Sequence, residues 1–309
     1  MRRCWRGGWQ NSHWPPLAIP PIASSMIQPQ FITTAAGRMA TLAWPGPAGA
    51  PLLHFAHATG MNAQLYADLL APLAGSRAVM ASDARGHGHS ELPADPAALT
   101  SWNQFADDLN ALLDVVAPAG PVLLAGHSMG ATVSLLAAAA RPDRVAGLLL
   151  LDPALLPFDM ARAVLAGTPI DHAMADQAAR RRGHFPSAAA ARAGWHGRGV
   201  FKSWPDAALD AYVAGGMVPD GDGVRLACTP AFEAATFRAV SPHVESALAG
   251  LTVPFVLLAG EHGSTVREAE LAAFAAHKQC SHASRIAGTS HFLPLEVPDA
   301  VRAALAYLV

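Results

Sequence analysis

From residue 30 onward the chain alternates between two hydrophobic rhythms. Short apolar runs of strand length occur at 51–55, 78–82, 121–125, 146–151, 255–259 and 284–287. Most are continuously apolar, as a strand must be when both of its faces are covered. Segments with helical spacing lie between and after them, at 63–73, 102–116, 129–140, 266–277 and 298–308. In 102–116, Phe105, Leu109, Leu112, Leu113 and Val116 form one stripe, and Asp107, Asp108, Asn110 and Asp114 are expected on the opposite, solvent side. Ahead of this alternation, 30–34 and 38–43 flank Gly37 as an entry hairpin.

Strands that alternate with helices imply right-handed crossovers and a mainly parallel central sheet with helices on both faces, an α/β architecture. The alternation lapses between Pro153 and about Gly250, where helical fragments, Trp195 and Trp204 occur without strong strand signals. A helical cap inserted after the sixth strand, over the carboxyl ends where such sheets bind ligands, is the expectation. The expected organisation is therefore a core of 26–155 and 250–309 with a cap at 156–249. Residues 1–25, basic at Arg2, Arg3 and Arg6 and broken by Pro15, Pro16, Pro20 and Pro21, read as a disordered extension or as an upstream start that the native protein does not use, in either case without a secretory apolar region.

A chain of 309 residues that is 52% hydrophobic can bury one large core. A net charge of −2 with 14% charged residues offers no basic field for nucleic acid. A small-molecule substrate fits better, while the oligomeric state is left open. No apolar run reaches the roughly 18 residues of a membrane span. Three widely spaced cysteines, Cys4, Cys228 and Cys280, suit reduced thiols and a cytoplasmic location rather than a disulfide framework.

The chemistry centres on Gly126-His127-Ser128-Met129-Gly130, which joins the strand at 121–125 to the helix that follows. Such a bend strains the serine backbone and brings strand and helix close together, and the flanking glycines remove side chains that would clash. Ser128 stands where a dinucleotide fingerprint needs its middle glycine, so that reading fails. A serine hydroxyl needs a base to attack at neutral pH. His291, just after the last strand in Gly288-Thr289-Ser290-His291-Phe292, is the candidate.

The elbow at Ser128, the block Ser82-Asp83-Ala84-Arg85-Gly86-His87-Gly88-His89-Ser90, and His291 ahead of Leu295-Glu296-Val297-Pro298 together resemble the serine-nucleophile branch of the α/β-hydrolase superfamily, from about Met26 to Val309. The resemblance implies a nucleophile, acid and histidine in that order, and a Ser-His-acid triad that cleaves an ester, thioester, lactone or amide through an acyl-enzyme without a cofactor. Related carbon-carbon bond hydrolases use a similar set, and a non-catalytic binder on the same fold is a further alternative. The oxyanion hole would use the amide of Met129 and, from His57-Ala58-Thr59-Gly60, that of Thr59 or, one place earlier, Ala58.

The acid departs from the commoner family pattern, because counting three residues past Gly260 reaches Gly263. Some relatives carry it at the end of the sixth strand, where Asp152 stands here, so Asp152 is the first choice and Glu261 the second. In the family block Asp83 and Arg85 are expected to pair in a structural turn, which is preferred over a metal site at His57, His87 and His89. Arg180, Arg181, Arg182 and His184 read as a solvated helix face before an anion site. Trp195, Phe201, Trp204 and Met217 read as packing before a pocket lining.

Overall fold

A computed structural model describes residues 27–308, so the expected extension at 1–25 lies outside the described residues. The chain enters through the antiparallel hairpin β1 (Gln30–Thr34) and β2 (Gly37–Trp44). It continues with β3 (Leu53–Ala56), the short helix α1 (Ala67–Leu70), β4 (Val79–Ser82), α2 (Asn103–Val116), β5 (Val122–His127), α3 (Met129–Ala140) and β6 (Val145–Leu151). The expected helix at 63–73 is instead α1 flanked by single 3-10 turns, with Pro72 in the second of them.

After β6 come α4 (Phe158–Leu165), α5 (Ala173–Ala179), β7 (His184–Phe185), α6 (Ala188–Trp195), α7 (Asp206–Gly216), β8 (Met217–Asp220), β9 (Gly223–Leu226), α8 (Pro230–Arg238) and α9 (Val244–Gly250). The chain then returns through β10 (Phe255–His262), α10 (Glu268–Ala276), β11 (Cys280–Ser290), α11 (Leu293–Glu296) and α12 (Pro298–Ala306).

Among the described residues the main sheet runs β1-β2-β4-β3-β5-β6-β10-β11, antiparallel at β1 and β2 and parallel from β4 to β11. The doubly covered strands explain their unbroken apolar runs. In β6, Leu148 and Leu150 join the cluster under α2, α3 and α9, whereas Leu149 and Leu151 join the opposite one with α12. All four are fully buried. Burial of this kind, at roughly 1.5–3 kcal/mol for a leucine side chain, is what the sheet exchanges for its lost chain entropy.

The inserted segment is not wholly helical. It carries its own antiparallel sheet in the order β7-β9-β8, and Asp220-Gly221-Asp222-Gly223 makes the β8-β9 turn, with Gly221 at φ 55°. Strands of two to four residues are too short to show a period, although the Asp-Gly turn was a readable signal. At the far end of the segment α9 packs on α3, placing Val244 and Leu248 in the core beneath the sheet.

Candidate functional site

The strand β5 ends at His127 and α3 begins at Met129, so Ser128 makes the whole turn, at φ 54° and ψ −119°. That conformation is strained for a residue with a side chain. Close approach on both sides explains the neighbouring glycines. A Cβ on Gly130 would stand 2.1 Å from the Ala56 carbonyl oxygen, and one on Gly126 would stand 2.3 Å from the Gly130 carbonyl carbon. The bend is fastened to the end of β6: the Ser128 amide donates to the Leu151 carbonyl at 2.9 Å, and the Ala154 amide donates to the Ser128 carbonyl at 3.2 Å.

Asp152 follows β6 directly and is the other non-glycine residue with positive φ among the described residues, at 42°. Its side chain is fully buried. The turned backbone directs the carboxylate toward the ends of β10 and β11. Oδ2 accepts the Gly260 amide at 2.7 Å, and Oδ1 accepts the Thr265 amide at 3.0 Å and His291 Nδ1 at 2.9 Å. The Thr265 hydroxyl lies 2.9 Å from that same oxygen. Burial alone opposes the charged form, but the hydrogen bond and charge of His291, with the two amides, outweigh it and hold Asp152 down at about 2. An ionised carboxylate is a pure acceptor, so His291 carries a proton on Nδ1 and presents Nε2 as its other ring nitrogen.

Ser128 and His291 come from parts of the chain 163 positions apart by number, yet the ring of His127, next to Ser128, packs with its centroid 4.9 Å from that of His291. Met129 and Thr59 are both buried. Met129 stands at the first position of α3, where the amide has no partner within the helix. In the loop after β3 the Gly60 amide is taken by His87 Nε2 at 3.0 Å.

Glu261, the second choice for the acid, is placed elsewhere. It is exposed, accepts the Gly288 amide at 2.7 Å and stands beside His262. Thr265, which holds Asp152 with two groups, was not singled out in the sequence. A lone threonine in a loop carries no signal of its own.

The family block folds as a turn but with different partners than expected. Arg85 does not pair with Asp83; it forks onto Asp108 of α2, at 2.9 and 2.6 Å. Asp83 instead accepts the amides of Ala63 and His89, both at 2.8 Å, and burial raises its pKa to about 6. Asp108 and Asn110, expected on the solvent side of α2, are both buried. The ring nitrogens of His57 and His87 are each committed to backbone. His57 Nε2 accepts the Ala84 amide at 2.9 Å and Nδ1 donates to the Ala58 carbonyl, while His87 Nε2 takes the Gly60 amide and Nδ1 donates to the Arg85 carbonyl. Neither ring keeps a lone pair for a metal.

Of the basic run in the inserted segment, Arg181 turns inward. It forks onto Glu233 at 2.6 and 2.8 Å and reaches the Tyr212 hydroxyl at 3.0 Å. Glu233 stands over Gly60, where a Cβ would meet its Oε1 at 2.6 Å. Arg182 lies over the Phe185 ring, and His184 pairs with Asp220. Trp195 stacks on Phe201, and Trp204 packs edge-on against Phe292, the residue after His291, so this cluster joins the inserted segment to the site.

The fold is matched by known proteins. A family model described as serine aminopeptidase, S33 matches residues 50–186, which include the elbow, Asp152 and the Asp83 block. Over 231 residues the chain is 28% identical to a 2-(acetamidomethylene)succinate hydrolase from Mesorhizobium japonicum, covering 72% of this chain and 74% of the relative. The crystal structure of E-2-(acetamidomethylene)succinate hydrolase superposes with a TM-score of 0.72 at 24% identity, over 91% of this chain and 98% of that one. The chain has the α/β-hydrolase fold. It is also similar to the monoglyceride lipase of Homo sapiens, 34% identical over 116 residues, though these span only 36% of this chain and 38% of the lipase. A thioesterase domain from the curacin biosynthetic pathway shares this fold, with a TM-score of 0.71 at 20% identity over 91% of this chain and all of that one. Among the described residues no helix is long and apolar enough to cross a membrane.

Proposed function

We propose that this α/β-hydrolase cleaves an acyl-type bond of a small molecule, an ester, thioester, lactone or amide, through a covalent acyl-enzyme on Ser128. The 2.9 Å contact between His291 Nδ1 and buried Asp152 carries the reading, because it leaves Nε2 as the ring nitrogen open to a proton, and Ser128 adds the strained backbone of a strand-to-helix bend. Ser128 Oγ attacks the carbonyl carbon while His291 Nε2 takes its proton. The amides of Met129 and Thr59 receive the oxyanion. His291 then protonates the leaving group, and a water activated by the same nitrogen releases the acid. Asp152 stays ionised throughout, fixing the imidazole and stabilising its charged form.

Each role uses groups of the chain alone, so no cofactor enters the scheme. The named activities of the relatives, hydrolysis of 2-(acetamidomethylene)succinate and of monoglycerides, support acyl-bond cleavage as the class of reaction. The inserted segment, roughly 156–249, is assigned as the cap that closes the site from above, since Glu233 and Trp204 meet Gly60 and Phe292 there.

A panel of chromogenic acyl esters of increasing chain length tests the proposal. The wild type turns over at least one of them, and Ser128→Ala and His291→Ala each lower kcat by about a million-fold. Undiminished turnover in either variant rejects the mechanism.

A further inference from the structure

Tyr66 and His127 are buried side chains that the proposed reaction does not use, and together they form a directed chain of hydrogen bonds through the site. His127 Nε2 lies 2.7 Å from the backbone carbonyl oxygen of His291, and His127 Nδ1 lies 2.7 Å from the Tyr66 hydroxyl. A carbonyl can only accept, so Nε2 carries a proton. Burial, reinforced by the neighbouring His291, holds the His127 pKa at about 3, so the ring is neutral and has that one proton. Nδ1 must therefore accept, and Tyr66 donates. The direction of both links is fixed: Tyr66 hydroxyl to His127 Nδ1, and His127 Nε2–H to the His291 carbonyl.

The chain runs beside the proposed nucleophile and ends on the proposed base. His127 precedes Ser128, and the last acceptor is the backbone of His291 itself. The far end needs such an anchor. His291 follows β11, the terminal strand of the sheet, which has a neighbour on one side only. Asp152 fixes its ring, but a ring hydrogen bond leaves the backbone free to shift. With His127 the residue is held at two points, side chain and main chain.

We infer that Tyr66 and His127 are positioning residues that set the location of His291 relative to Ser128. This rests on the triad reading above. The requirement is specific: an apolar residue at either position would fill the space but could not pass on the direction of the bonds, and a His127 ring with its proton on Nδ1 would turn a lone pair toward the His291 carbonyl.

Steady-state kinetics on a chromogenic ester test the inference, with Ser128→Ala as a control and thermal melts to verify folding. Tyr66→Phe is expected to lower kcat about tenfold and His127→Leu about a hundredfold, with KM within about twofold of the wild type, because misplacing a base weakens the transition state more than ground-state binding. His127→Gln, whose side-chain amide can still donate to the carbonyl, recovers kcat to within about tenfold of the wild type. Where His127→Leu fails to fold, nitrogen NMR of labelled histidines in the wild type and Tyr66→Phe decides: the proton of His127 is expected on Nε2, with the Nδ1 signal shifted on loss of the tyrosine donor. Wild-type kcat in Tyr66→Phe and His127→Leu, or a His127 proton on Nδ1, overturns the inference. Ser128→Ala separates the two claims, since activity retained there refutes the triad reading, whereas activity lost there but unchanged in Tyr66→Phe refutes only the positioning role.

Discussion

At the scale of single residues, the assignment of the acid is the sharpest point. Asp152 and Glu261 both lie close in sequence to strand ends, but the first is buried against His291 and the second is exposed on Gly288. Asp152→Asn is expected to lower kcat about 10⁴-fold, as the amide would present the wrong group to Nδ1. Glu261→Gln should stay within about twofold of the wild type, because a surface carboxylate on one amide contributes little. Equal rates for the two variants in an ester assay would remove Asp152 from the scheme. The positions of Ser128, Asp152 and His291 were legible because a nucleophile bend, a strand end and a post-strand histidine each leave a local pattern. The partner of Arg85 was not. Nothing in the local sequence distinguishes Asp83, two residues away, from Asp108 on a helix that folds back over the loop.

Among the elements, the junction of β5 and α3 bears the tightest packing. Gly130 lies against the β3 backbone, where neither Ala56 nor the helix start can yield without moving the strand that leads to Thr59. Gly130→Ala is therefore expected to destabilise the fold by about 3 kcal/mol, the upper end of ordinary overpacking. The urea midpoint reads this directly, and a midpoint unchanged from the wild type would show that the strand gives way easily. The main strands were visible in sequence because double burial writes continuous apolar runs. Only 284–287 of β11 stood out, since the rest of this edge strand carries Ser281, His282, Gly288 and Ser290. The small sheet β7-β9-β8 escaped because its strands are shorter than one detectable period.

For the molecule as a whole, the distribution of neutral histidines sets the response to acid. Burial holds His54 and His87 at about 4 and His57 and His127 at about 3. In the unfolded chain these rings titrate near 6.5. Below that pH the unfolded state takes up protons that the folded state refuses, so stability is full above about 6.5 and falls as the pH drops toward 4. Each ring contributes a slope of roughly 1.4 kcal/mol per pH unit within that window. Asp83 opposes one of the four, because a carboxyl held at about 6 gains its proton first in the folded state. The urea midpoint should therefore be lower at pH 5.5 than at pH 7.5, and a flat or rising profile would mean that these rings are not neutral and buried. The α/β architecture was readable from the alternation of strands and helices. The clamping of the loops after β3 and β4 by His57 and His87 was not, because it depends on which ring nitrogens meet which amides.

The central claim is that the hydroxyl of Ser128 is the nucleophile. Reaction with a fluorophosphonate followed by peptide mass mapping tests it most directly. One adduct per chain is expected, located on Ser128, and none in Ser128→Ala; an unmodified serine there, or an adduct formed at another residue in its place, would exclude Ser128 as the nucleophile.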